Sequence, residues 1–125
     1  MSTNPLICVV DDDPSMLRML ARIVTAKGFE VAAFSSAEEL LDSGRIDDSA
    51  CLILDVDLPG IGGLELQQKL KNNGQSVPVI LISGEATEKM RQRALNQGAV
   101  AFFDKPFSIE SLLAAVRSVQ TLMLA

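Results

Sequence analysis

Four short apolar runs in this chain lead directly into residues that can handle a phosphoryl group. Leu6–Val10 runs into Asp11-Asp12, residues 50–54 into Asp55, residues 77–82 into Ser83, and residues 101–103 are followed almost at once by Lys105. Clustered carboxylates bind a hard cation through oxygen, and magnesium favours one or two carboxylates completed by water and phosphate. A carboxylate can also attack phosphorus and become an acyl phosphate. Transfer of this kind needs positioning and neutralisation of charge more than covalent help, and a metal, a lysine and a hydroxyl can share that task. These residues can cooperate only if the fold gathers the ends of the runs at one edge.

The pattern around the runs predicts such a fold. With residues 30–33 there are five apolar runs, several β-branched and apolar on both faces, as strands of a covered parallel sheet should be. Amphipathic stretches lie between them. Asp13-Pro14 supplies a cap and a first-turn proline, then Met16, Leu17, Leu20, Ile23 and Val24 recur at helical spacing until Gly28. Ser36 with Glu39 has the form of a capping box. Leu64, Leu66 and Leu70 mark a third helix before Asn72-Asn73-Gly74, and residues 87–97 a fourth with a weak apolar stripe. Ser108 caps a fifth, with Ile109, Leu112, Leu113, Val116 and Val119 on one side. Five strands alternating with five helices read as a doubly wound α/β sandwich with right-handed crossovers. Ligands of such sheets bind outside the carboxyl ends of the strands.

Composition narrows the function. The 125 residues suit one domain, and 48% hydrophobic content supports a packed core. Eleven basic against sixteen acidic residues leave a net charge of −5, which offers no footprint for nucleic acid or an anionic membrane surface. Histidine is absent, so His catalysis and His metal sites are excluded. No signal peptide or membrane-length apolar run is visible, so a cytoplasmic location is expected. Cys8 and Cys51 lie inside apolar runs and are expected to be reduced, buried thiols. Each precedes a site acid by four residues, Asp12 and Asp55, so the two are expected to be neighbours on adjacent strands.

Val9-Val10-Asp11-Asp12, Leu52-Ile53-Leu54-Asp55, Ile80-Leu81-Ile82-Ser83-Gly84 and Asp104-Lys105-Pro106-Phe107, in that order, resemble the receiver domain of bacterial response regulators over essentially the whole chain. The resemblance implies a flavodoxin-like five-stranded parallel sheet of order 2-1-3-4-5 with five helices, as one domain over residues 1–125. It also implies that Asp55 accepts phosphate from a sensor histidine kinase. Magnesium would be held by Asp12, Asp55 and the main-chain carbonyl of Asp57, with Asp11 acting through water. Ser83 matches the hydroxyl that bonds the phosphoryl group, Lys105 the lysine that pairs with it, and Phe102 the aromatic that turns inward on activation. Lys105-Pro106 is expected to be cis. By the same resemblance, Asp57 and Glu85 are expected to tune phosphoryl lifetime, and Asp57→Asn is expected to shorten it. The response is expected on the face formed by residues 87–97, the strand at Phe102 and residues 108–119, toward an output domain, a protein partner or a phosphorylation-dependent homodimer.

Two other functions compete with this switch. Leu54-Asp55-Val56-Asp57 resembles the Asp-x-Asp signature of haloacid-dehalogenase-type phosphatases, with Asp55 as nucleophile and Asp57 as general acid. Those enzymes carry their metal-binding acids late in the chain, whereas Asp11-Asp12 comes early. A degenerate receiver that only docks a partner is the other, and the complete acid, hydroxyl and lysine set argues against it. The sequence leaves open whether the chain stands alone or is the receiver of a longer transcription factor.

Overall fold

The computed structural model describes residues 4–124, with side chains through residue 119. Strands and helices alternate strictly: β1 Leu6–Val10, α1 Pro14–Thr25, β2 Glu30–Phe34, α2 Ala37–Ser43, β3 Ser49–Asp55, α3 Gly63–Asn72, β4 Val79–Ser83, α4 Glu88–Asn96, β5 Ala101–Asp104 and α5 Ile109–Leu124. The strands form one sheet in the order β2-β1-β3-β4-β5, every neighbouring pair parallel. This is the doubly wound α/β architecture that the alternating pattern predicts.

The sheet divides the core in two. Cys8, Val10, Leu52, Leu54 and Leu81 face α2, α3 and α4, while Ile7, Val9, Ile53, Ile80 and Ile82 face α1 and α5. The central strands β1, β3 and β4 are apolar on both faces because both faces are covered. The edge strand β2 is only half-buried. Helix α1 is anchored by Leu20 and Val24, both fully buried, each worth roughly 1.5–3 kcal/mol by area.

Helix starts follow the expected local chemistry. Asp13 caps α1 by accepting the Ser15 N–H, with Pro14 in the first turn. Ser36 caps α2 by accepting the Glu39 N–H at 3.1 Å. The reciprocal half of that box is replaced, because the Glu39 carboxylate accepts the Ser35 hydroxyl instead.

Helix α4 is held differently. Ala94 is its only buried residue among those described. Polar contacts make up for the missing apolar stripe. The buried Gln67 of α3 donates to the Ala94 carbonyl at 3.0 Å, and Gln97 donates to Gln67 Oε1 at 2.8 Å and to the Leu64 carbonyl at 3.2 Å.

Two expectations need correction. The run 77–82 does not pair along its whole length: β4 begins at Val79, because Pro78 has no N–H to give the ladder and contributes only its carbonyl, to Leu52 N–H at 2.9 Å. Cys8 and Cys51 are both free and buried, as expected, but they are not on the same face. The register places Ile7 beside Cys51 and Cys8 beside Leu52, with an irregularity between Leu6 and Ile7. A one-residue offset sends side chains to opposite faces, so Cys8 joins the α2–α3–α4 core and Cys51 the other. The same register aligns Val10 with Leu54, so Asp11, not Asp12, follows in step with Asp55.

Candidate phosphoacceptor site

The candidate site residues gather at the carboxyl edge of the sheet. Asp11 is 1% exposed and Asp55 5%. Their carboxylates are joined by one cation: Lys105 Nζ lies 3.0 Å from Asp11 Oδ2 and 3.3 Å from Asp55 Oδ2. Asp11 Oδ1 accepts the Asp13 N–H at 2.9 Å, which fixes its orientation. Asp55 Oδ1 accepts the Asp57 N–H at 3.0 Å. Lys105-Pro106 is cis.

Burial pushes the Asp55 carboxyl above its ordinary value, and the Asp11 charge adds to this; the Asp57 amide and Lys105 pull the other way. Desolvation alone would lower Lys105, but its hydrogen bond to Asp11 and the charges of Asp55 and Asp11 outweigh it and raise the ammonium above its ordinary range.

Carboxylate oxygens of Asp11, Asp12 and Asp55 lie within 4.8 Å of one another, two of the groups buried and Asp12 exposed. An all-oxygen donor set open to water on one side suits magnesium. The carboxylate of Asp57 does not join this cluster. It turns toward β4, where Oδ2 accepts the Ser83 hydroxyl at 3.1 Å and the Gly84 N–H at 3.4 Å. Ser83 is fully buried, and its Oγ accepts the Glu85 N–H at 3.2 Å. Glu85 itself is exposed.

The loop that carries Asp57 is tightly folded. The Gly63 N–H donates to the Val56 carbonyl at 3.2 Å, and a Cβ at Gly63 would collide with the Asp55 carbonyl, so glycine is required there. Glu38 of α2 accepts the Ile61 N–H at 3.1 Å and ties the far side of the loop down.

Phe102 sits in the α2–α3–α4 core, 8% exposed, beside Leu81 in the register. The guanidinium of Arg91 lies 4.9 Å above its ring and donates to its carbonyl at 3.3 Å. Side chains alternate along a strand, so Phe102 and Asp104 of β5 share a face with Leu81 and Ser83 of β4. Arg91, Gln67 and Glu38 escape a reading by motif. Each acts from a helix on a partner distant in sequence, and only placement of the helix shows it.

The domain is thus of the doubly wound α/β class, with acids, a hydroxyl and a lysine at one edge of its sheet. Residues 7–117 match the family model for the response regulator receiver domain, and the chain belongs to that family. Nodulation protein W of Bradyrhizobium diazoefficiens is 44% identical over 115 residues, 92% of this chain and 51% of that protein. Response regulator protein TodT of Pseudomonas putida is 42% identical over 90% of this chain and 50% of its own length. The transcriptional regulatory protein FixJ of Azorhizobium caulinodans is 36% identical over 88% and 52%. Among solved structures, response regulator StyR superposes with a TM-score of 0.87 at 35% identity, covering 96% of this chain and 61% of that one. The BeF3-activated DrrB receiver domain gives 0.86 at 27% identity, covering 95% and 99%.

The chain spans about half the length of these curated relatives. The family match makes it a receiver domain of the two-component response regulators, a class of signalling switches and not of turnover enzymes. The phosphatase alternative finds no support in these matches. Among the described residues, no helix is long and apolar enough to cross a membrane.

Proposed function

We propose that Asp55 accepts a phosphoryl group from the phosphohistidine of a sensor kinase, and that residues 1–125 form one receiver domain switched by that event. The observation that carries this reading is the bridging of Asp11 and Asp55 by Lys105, at 3.0 and 3.3 Å. In the transfer, an Asp55 oxygen attacks phosphorus, the bond from phosphorus to the imidazole nitrogen breaks, and its electron pair leaves with the imidazole. An acyl phosphate remains on Asp55.

Asp12, Asp55 and the main-chain carbonyl of Asp57 would hold magnesium, with Asp11 acting through water, and the ion would neutralise phosphoryl charge. Lys105 turns from the Asp55 carboxylate to a phosphoryl oxygen. Ser83 donates its hydroxyl to another. Asp57 and Glu85 flank the group and set its lifetime. Phosphorylation occurs once per domain, from the kinase or a small phosphodonor, and is followed by slow self-dephosphorylation. Movement of Ser83 is passed to Phe102 and to α4, the helix with least apolar burial to lose. The α4–β5–α5 face then changes toward an output domain or a second copy. The naming of relatives as transcriptional regulators favours control of transcription as the output.

Beryllium fluoride with magnesium should occupy Asp55 and shift the amide resonances of β4, α4 and β5. Equal shifts in Asp55→Asn would refute the assignment.

A further inference from the structure

Asp57 is exposed, yet its carboxylate is committed. Oδ2 accepts the hydroxyl proton of Ser83 at 3.1 Å and the Gly84 N–H at 3.4 Å. The backbone beneath it is pinned, since its own N–H donates to Asp55 Oδ1 at 3.0 Å. On the other side, Ser83 Oγ already accepts the Glu85 N–H at 3.2 Å. A serine hydroxyl has one proton to donate. While that proton goes to Asp57, it is withheld from any oxygen bound to Asp55.

We propose that Asp57 is a brake on the switch: its carboxylate holds the Ser83 hydroxyl in the resting arrangement, and a phosphoryl group on Asp55 must take that proton away from it. The inference rests on the phosphoacceptor role of Asp55. It assigns Asp57 a task in the unphosphorylated protein, separate from any effect on an attacking water later. A contact made in only one of two states shifts their balance by its own worth. A hydrogen bond to an anion is stronger than a neutral one, but this acceptor is open to solvent, which weakens it. Its loss should favour the switched state by about fivefold, in the range of one ordinary hydrogen bond.

Charge alone offers a rival cause, because removing Asp57 also removes repulsion of an incoming anion. Asparagine separates the two: it keeps an acceptor oxygen for Ser83 and loses the charge. The test is a titration with beryllium fluoride and magnesium, followed by amide chemical shifts, in wild type, Asp57→Ala, Asp57→Asn and each combined with Ser83→Ala. Asp57→Ala should bind about fivefold more tightly, Asp57→Asn should fall between it and wild type, and the gain should vanish in the Ser83→Ala background. Equal gains for Asp57→Ala and Asp57→Asn that persist without Ser83 would reduce Asp57 to a repulsive charge and overturn the brake. Unchanged affinity in Asp57→Ala would overturn it too.

A second readout needs no ligand. In magnesium-free protein, the Gly84 and Glu85 amides should shift on Asp57→Ala, and unchanged amides would remove the contact itself. Failure of wild type to take up beryllium fluoride at Asp55 would instead overturn the phosphoacceptor reading, and the brake with it.

Discussion

Arg91 of α4 and Asp104 at the end of β5 form an ion pair in which Nη2 lies 3.1 Å from Oδ1 and 3.0 Å from Oδ2. Asp104 immediately precedes Lys105, so a residue of the exposed helix is attached next to the lysine that bridges Asp11 and Asp55. The same guanidinium covers the Phe102 ring and bonds its carbonyl. Arg91→Ala should therefore loosen α4 more than any other helix. Hydrogen exchange should accelerate in residues 88–97, while the loss of global stability stays near 1 kcal/mol, since the pair is partly exposed. Unchanged exchange in α4 would show that the glutamine contacts alone hold it.

Phe102 lies under Arg91 of that helix and beside Leu81 of β4, and the proposed relay runs through it. Cutting its buried ring to alanine should cost about 3 kcal/mol or more, so Phe102→Leu is the gentler companion. Both variants should label at Asp55 at nearly the wild-type rate and lose phosphorylation-dependent association. If labelling collapses and association merely follows it, Phe102 is core and has no part in the relay.

Asp55 should cost the metal-free fold some stability. Its folded carboxyl titrates above the ordinary value of 3.8, chiefly through burial. Between that value and the raised one, the folded state holds a proton that the unfolded chain has lost, so stability falls as pH rises through that window. At neutral pH without magnesium, Asp55→Asn should melt at a higher temperature than wild type, by roughly 3–6 °C per kcal/mol in a domain of this size. The advantage should shrink as pH is lowered toward 4. A lower melting temperature for Asp55→Asn would mean that the bond to Lys105 outweighs burial.

The two cysteines should be silent in the folded protein. Burial pushes the Cys51 thiol up to about 12 and raises Cys8 as well. At pH 8, neither should react with a thiol reagent in native buffer, and both should react once the chain is denatured. Rapid labelling of one thiol in the native state would contradict the packing of that face.

Much of this was legible in the order of residues because strand ends punctuate the pattern. Asp11-Asp12, Asp55, Ser83 and Lys105 each follow an apolar run, and a parallel sheet brings such ends together whatever the helices do. The caps at Asp13 and Ser36, and the weak stripe of α4, were local and therefore readable. What was hidden depends on direction and register. The irregularity at Leu6 and Ile7 shifts β1 against β3 by one residue and separates Cys8 from Cys51. Nothing in the spacing of Asp57 shows that its carboxylate turns to Ser83 and away from Asp12. Gln67 looks like a surface residue of an amphipathic helix until α4 lies across it and supplies the Ala94 carbonyl.

The most direct measurement is intact mass after incubation with a small phosphodonor and magnesium, for wild type, Asp55→Asn and Lys105→Ala. Wild type should gain a single phosphoryl group, released again after the donor is removed, and Lys105→Ala should gain it too, while Asp55→Asn gains none. A phosphoryl group of equal yield on wild type and Asp55→Asn would place the acceptor elsewhere and contradict the role assigned to this site.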